Sequence, residues 1–329
     1  MIVAAVPGFS GNQTSLNPVG PAAGHIESEF ALIFWITLAV YCIVLLAFVV
    51  YVVRRRHSLS LMPEPLQTTP ESDLRAQRWV GGAMVVTTLL LFTMMIGSFV
   101  SGHALGSMNR ETAYTIDVYG HQWWWEVHYP NDEPNKIVVT ANEIHVPVGV
   151  PLRIHGTSRD VIHSFWAPNV QGKRDLLPGY DTDVMMQVDQ PGRWRGQCAE
   201  YCGEQHAHMS FYMVAEAEPQ FKQWLDQQAQ SSVAPSNPQT TRGQQVFLSH
   251  ACVMCHTIRG TPAGSRVGPD LTHLASRSTI AAGVLPNTVG NLGGWILNAQ
   301  SIKPGCRMPP NHMTGTELQD LLAYLETLK

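Results

Sequence analysis

The sequence predicts a multi-domain chain: a two-helix transmembrane hairpin, an all-β barrel, and a small all-α domain. Three observations carry this prediction. Two long uncharged apolar runs lie near the N-terminus, at residues 30–53 and 79–100. Short β-branched or alternating runs, separated by Pro and Gly at about ten-residue spacing, fill residues 111–217. Helical periodicity returns after residue 241. Composition agrees: of 329 residues 45% are apolar and 14% charged, which excludes a disordered chain. A net charge of −4 argues against a nucleic-acid partner, which selects a basic face. A mean hydropathy of −0.03 excludes a many-span transporter. Six cysteines in so long a chain are not a disulfide scaffold.

The apolar runs of 24 and 22 residues can each cross a hydrocarbon core of roughly 30 Å at about 1.5 Å per residue. The first is not a signal peptide, because the basic cluster Arg54-Arg55-Arg56-His57 follows the run instead of preceding it. The second could be a buried soluble helix, but Gly81, Gly82 and Gly97 suit close packing between membrane helices better. The 54–78 loop carries five arginines and is therefore expected in the cytoplasm, with the N-terminus and everything after residue 100 outside. The first ten residues of the 1–29 external segment fit the remnant of a cleaved leader.

Strands are expected at 114–119, 137–140, 143–147, 151–155 and 183–188, within an outer domain of residues 101–217. Residues 218–240 read as a short helix running into a flexible linker rich in Gln, Ser, Ala and Pro. The domain at 241–329 ends in an amphipathic helix from Thr316 onward, with an N-cap candidate at its start.

Two constellations carry chemistry. Cys198, Cys202, His206 and Met209 bring two thiolates, an imidazole and a thioether into twelve residues. Such soft donors favour copper in its lower oxidation state. A mononuclear blue site needs one Cys; two cysteines on one loop can bridge two metals. His163, at the end of an earlier strand, is the natural remote ligand. A Cys198–Cys202 disulfide, or a zinc site that leaves Met209 idle, are the other readings. Cys252-Val-Met-Cys255-His256 is a c-type haem attachment motif, whose thiols add to the haem vinyls and whose His is the proximal ligand. A downstream Met should complete the iron and raise its potential; Met308 and Met313 are candidates, with His312 and Met254 behind them. Trp123, Trp124 and Trp125 fit aromatic core or a membrane-interface belt; in a strand, Trp123 and Trp125 would share one face.

With Gly120-His-Gln-Trp-Trp-Trp125, His163-Ser-Phe-Trp-Ala-Pro, Lys173-Arg-Asp175-Leu-Leu-Pro178-Gly179 and Cys-x-Glu-x-Cys-Gly-x-x-His-x-x-Met, residues 30–217 resemble subunit 2 of cytochrome c oxidase in its dicopper form, CuA. The resemblance implies a cupredoxin-like Greek-key barrel. It implies that Cys198 and Cys202 bridge two coppers, one completed by His163 and Met209, the other by His206 and the Glu200 carbonyl. The Glu200 carboxylate would touch a magnesium or manganese ion shared with subunit 1, and Trp123 would be the electron entry point. The tail resembles a class I cytochrome c domain, and its Arg307-Met308-Pro309 makes Met308 the implied axial ligand.

The whole chain is similar to subunit 2 of the caa-type haem–copper oxidases. That implies electrons passing from cytochrome c or another external donor through haem c and CuA to subunit 1, where oxygen is reduced to water with proton translocation. This chain itself then holds no catalytic residue. The implied setting is the cell membrane of a prokaryote, with subunit 1 and subunit 3 as partners. The alternative is the CuA-bearing electron-entry subunit of a nitric oxide reductase; a quinol oxidase subunit would lack the copper ligands. Two departures stand out. Ala76 occupies the place of a family Glu three residues before the Trp that opens the second span, with Glu71 and Asp73 nearby, and Tyr180 replaces an Arg after Pro178-Gly179.

Overall fold

The computed structural model describes residues 11–56, 69–107 and 112–329. The first ten residues, expected as a leader remnant, and residues 57–68 of the arginine-bearing loop lie outside the described residues, whereas the loop's five arginines fall on the two helices that flank that gap. The chain forms two bodies.

The first body is a pair of long helices, α1 (Pro21–Arg56) and α2 (Pro70–Gly106). Both extend past the apolar runs, and at about 1.5 Å per residue they are longer than a bilayer core is thick. The most apolar eighteen residues of each helix bury nothing within the protein, as expected of side chains that face lipid. The start of α2 is built locally. Thr69 accepts a hydrogen bond from the Ser72 amide, Ser72 Oγ accepts one from the Thr69 amide, and Glu71 and Asp73 occupy the first turn. Those two carboxylates complement the positive end of the helix dipole. A Cβ on Gly97 would lie 2.8 Å from Leu32 Cδ2, whereas Gly81 and Gly82 face open space. Of the three glycines expected to serve close helix packing, Gly97 meets the other helix of this chain.

The second body holds the barrel and the helical domain. Ten strands make two five-stranded sheets. In chain order they are β1 (Tyr114–His121), β2 (Trp124–Tyr129), β3 (Val138–Ala141), β4 (Glu143–Pro147), β5 (Leu152–Ser158), β6 (His163–Trp166), β7 (Arg174–Leu176), β8 (Thr182–Met186), β9 (Gly192–Cys198) and β10 (Ser210–Glu216). The sheets run β3-β2-β1-β5-β8 and β4-β10-β9-β6-β7. Only β1–β5 and β4–β10 pair in parallel; chain neighbours pair antiparallel, as tight turns allow. Strict alternation in β5, with Leu152 and Ile154 inward, follows from the two-residue period of a strand with one buried face. Trp125 anchors the core, edge-on to Phe165 and Phe211 at 5.6 and 5.7 Å, and those two rings stack at 4.4 Å. Residues ahead of α1 strap the barrel: the Val19 amide donates to Asn169 O, and the Asp189 amide to Val19 O.

Helix α3 (Glu218–Gln228) seats Phe221 against Tyr114 and Tyr129 of the barrel. The segment read as a flexible linker is instead pinned to the helical domain. The Ser232 amide donates to Arg259 O at 3.0 Å, and Arg259 Nη1 donates back to Ala229 O at 3.0 Å. The helical domain contains α4 (Pro238–Ser249), α5 (Val289–Leu297), α6 (Ala299–Ile302) and α7 (Gly315–Leu325), with a two-stranded hairpin of β11 (Thr279–Ile280) and β12 (Leu285–Pro286). Asn237 and Thr314 cap α4 and α7 in reciprocal boxes with Thr240 and Glu317. The cap of α7 thus lies two residues before Thr316. Helices α4 and α7 cross where Gly243 lacks a side chain, so that its backbone meets that of Asp320, and Arg242 grips the Asp320 carboxylate through Nε and Nη2 at 2.7 and 3.1 Å.

Candidate functional site

The first site lies where β6, the end of β9 and the loop into β10 meet. Cys198 ends β9, and Cys202 and His206 follow in the loop. Met209 immediately precedes β10, and His163 opens β6. The two sulfurs stand 3.8 Å apart, nearly twice a disulfide bond of about 2.05 Å, so they are free thiols. His163 Nδ1 is 3.8 Å from Cys198 Sγ, His206 Nδ1 is 3.6 Å from Cys202 Sγ, and Met209 Sδ is 3.9 Å from Cys202 Sγ. The Glu200 carbonyl oxygen is 3.2 Å from Cys198 Sγ. Met209 and His163 are fully buried. His163, Cys198 and Cys202 form a metal-competent cluster within 4.8 Å. Two thiols, two imidazoles, a thioether and a carbonyl around one small volume suit a soft, low-charge metal.

The sequence reading missed what aims His163. Its Nε2 donates to Asp160 Oδ1 at 2.9 Å, which leaves Nδ1 unprotonated and pointed at sulfur. Asp160 in turn accepts the amides of Gln122 at 2.7 Å and Val161 at 2.8 Å. Burial alone would raise the Asp160 pKa, but these donors outweigh it and hold it below the usual carboxylate range. The signal was present in sequence, as a carboxylate three residues before the candidate His. Gly120 is the second missed residue: a Cβ there would lie 2.6 Å from His163 Cδ2. Only glycine leaves room for the imidazole. Hydrogen bonding with Cys202 lowers the Cys198 pKa, while the neighbouring Cys198 sulfur, together with burial, raises that of Cys202. The pair thus takes a first negative charge easily and resists a second, unless a cation replaces the shared proton.

Trp123 sits in the turn between β1 and β2, not in the strand, so alternation does not govern it. Trp124 stacks on His121 and Trp125 enters the core. The Trp123 indole N–H donates to Cys202 O at 2.9 Å, beside the Gln122 amide, which donates to the same oxygen. His208 is exposed and bonded to Gln205, away from the sulfurs. Glu200 is half-buried, and its Oε1 accepts the Tyr201 amide.

The second site is local. Cys252, Cys255 and His256 lie on and just after one 3-10 turn, Ala251–Met254. His256 Nδ1 donates to Pro269 O at 2.8 Å, which leaves Nε2 free for a metal. Burial lowers the His256 pKa, which favours the neutral ligating form. A Cβ on Gly268 would crowd His256 Cε1 at 2.8 Å. Arg277 is buried and its Nε has no hydrogen-bond partner; a bound carboxylate is the natural complement of such a guanidinium. Met308 is half-buried, with its carbonyl held by Gln300 Nε2 at 2.8 Å. Met313 packs against the domain core, and Met254 is 71% exposed.

The family model of the cytochrome c oxidase subunit II periplasmic domain matches residues 133–217, and the cytochrome c model matches 240–329. Cytochrome c oxidase subunit 2 of Alkalihalophilus pseudofirmus is 30% identical over 97% of this chain and 91% of its own length. The chain belongs to the cytochrome c oxidase subunit 2 family. The subunit 2 protein of Bacillus sp. PS3 is 28% identical over 74% of this chain and 72% of its own. The periplasmic domain of subunit II (CoxB) of Bradyrhizobium japonicum, a solved structure, is 29% identical over 36% of this chain and 96% of its own, with a TM-score of 0.34. This subunit 2 is therefore a membrane-anchored part of a haem–copper oxidase complex. It has a copper-type β domain of cupredoxin-like architecture and a haem-type cytochrome c domain.

Proposed function

We propose that this subunit 2 passes electrons from an external donor to the oxygen-reducing subunit 1, with a covalent haem c and a dinuclear copper centre, CuA, as its two one-electron carriers. The observation that carries this reading is the approach of His163, His206 and Met209 to within 4 Å of one or other of two unbonded sulfurs. In this reading Cys198 and Cys202 would together hold two coppers, with His163 and Met209 as ligands to one and His206 and the Glu200 carbonyl as ligands to the other. Asp160 keeps His163 in the tautomer that presents Nδ1, and burial of Met209 and His163 keeps water from the ligands. Because His163 and Cys198 sit in strands and the short loop carrying the other donors is anchored at both ends by β9 and β10, the donors need move little when charge changes. The Glu200 carboxylate would hold a magnesium or manganese ion shared with subunit 1. Trp123 is the electron entry point, supported by its indole bond to the Cys202 carbonyl.

Cys252 and Cys255 would attach haem c through thioethers, and His256 Nε2 and Met308 would ligate its iron. Arg277 supplies a cation for a propionate. The domains run as a hairpin at 30–100, a CuA domain at 101–217, a linker at 218–240 and a cytochrome c domain at 241–329. The basic loop faces the cytoplasm of a prokaryote, and both redox domains face outward. Subunit 3 completes the complex, whose reaction reduces oxygen to water and moves protons.

Elemental analysis of the purified complex should give two coppers in this chain and one covalent haem, with a near-infrared mixed-valence copper band. A single copper in this chain, or a Cys198–Cys202 crosslink, would sink the reading. Oxygen consumption with an external donor, and not nitric oxide consumption, should accompany the large subunit that co-purifies.

A further inference from the structure

The cytochrome c domain does not hang freely from the barrel. Among the described residues, its 278–283 and 303–307 segments touch the barrel at five places. Ser210 donates through N and Oγ to Ala282 O, at 3.1 and 2.7 Å. Glu143 accepts the Ser278 amide at 3.3 Å as well as its hydroxyl. Gln205 Nε2 donates to Pro304 O at 2.6 Å, and Arg307 approaches Asp160 Oδ2 at 3.5 Å. At the centre is Lys303. Its Nζ donates to Trp123 O at 2.6 Å, across 180 residues of sequence, and to Ala281 O at 3.3 Å.

Lys303 is 3% exposed, and among the described residues no carboxylate pairs with it. A lysine so placed is costly, since desolvation disfavours its charge and only hydrogen bonds offset the loss. Burial pulls its pKa down to about 7. Solubility or a surface ion pair therefore cannot explain this residue. Fold maintenance within its own domain explains it poorly too, because the shorter of its two bonds leaves that domain. The turn it grips is itself under strain. Ala281, Ala282 and Gly283 all take positive φ, at 55°, 60° and 76°, and two of them carry a Cβ. The carbonyls that this conformation presents are the two that meet Lys303 and Ser210.

The geometry points to Lys303 as a positioning residue that keys the cytochrome c domain onto the electron-entry face of the barrel. It does so by tying the backbone of Trp123 to the strained Ala281–Gly283 turn. The inference rests on the proposed flow from haem c to copper for its purpose, but not for its geometry. Tethering alone would leave donor and acceptor at an effective concentration of about millimolar; a keyed contact holds one productive orientation.

The Ser210 amide reports the contact directly, because its hydrogen bond crosses between the domains. Hydrogen exchange on the full-length chain in its complex should show at least about tenfold faster exchange of that amide in Lys303→Met. The Met213 amide in β10 and the Leu271 amide in the cytochrome c domain should keep their protection. Lys303→Arg, which keeps a cationic donor, should restore most of the protection at Ser210. In the same preparations, flash reduction of haem c should be followed by copper reduction at least about tenfold slower in Lys303→Met, with both absorption spectra unchanged. Unchanged Ser210 exchange in Lys303→Met would overturn the proposal. So would faster exchange with unaltered transfer, or lost protection at Leu271, which would make Lys303 a fold residue. If the wild-type chain showed no haem-to-copper transfer, the function proposed above would fail, while the exchange result would still decide for or against Lys303.

Discussion

Cys198 and Cys202 are buried at the end of a strand and in the loop after it, and their partner His163 arrives from another strand 35 residues earlier. Cys252, Cys255 and His256 lie together at a single 3-10 turn, with only Pro269 brought in to orient the imidazole. The copper-type cluster is thus a product of sheet packing, set by β6 lying beside β9. The haem-type motif is a product of local chain geometry. A site assembled from distant strands should respond sharply to any change in what aims its ligands. A site carried on one turn should respond to loss of its own few atoms.

Cys198→Ser should abolish the near-infrared band and leave at most one copper in the chain, with the haem spectrum untouched; persistence of a dinuclear signature would break the contrast. Met308→Ala should remove the low-spin Met/His features of the haem and lower its potential, while copper stays. If Met313→Ala does this instead, the remote ligand has been misplaced. Asp160→Asn tests the aiming of His163. It should weaken copper retention roughly 10–100-fold, as read by chelator competition, without changing haem content. Equal effects on both centres would argue that Asp160 serves the domain contact through Arg307 and not His163.

A smaller effect is expected from the barrel's own electrostatics. His145 lies between Glu216 at 2.8 Å and Glu143 at 3.3 Å. Burial alone would lower its pKa, but bonds to the two carboxylates outweigh that and raise it. A raised native pKa means the contribution is fully present below the unfolded value of about 6.5 and is lost as pH rises through the native value. His145→Gln should therefore cost on the order of 1 kcal/mol near pH 6 and progressively less in alkali, as measured by thermal unfolding against pH. A constant difference across that range would refute the linkage.

Legibility in the sequence followed range. The two long apolar helices, half of the barrel strands and the Cys-x-x-Cys-His turn could be read because each depends on residues close together. Asp160 and Gly120 could not be ranked, since their meaning depends on His163 reaching them across a sheet. Trp123 was placed by strand alternation and is in a turn. The linker looked flexible by composition, yet Arg259 holds it through backbone carbonyls that composition does not reveal.

The amino-acid sequence alone determined which soft donors and haem-attaching thiols are present and where the chain can meet lipid, because residue chemistry and short-range periodicity are local properties. Tertiary structure decided which nitrogen of His163 faces sulfur, which glycines are obligatory, and that Lys303 reaches Trp123. Those depend on two surfaces meeting in one register, and no single stretch of chain encodes such a meeting.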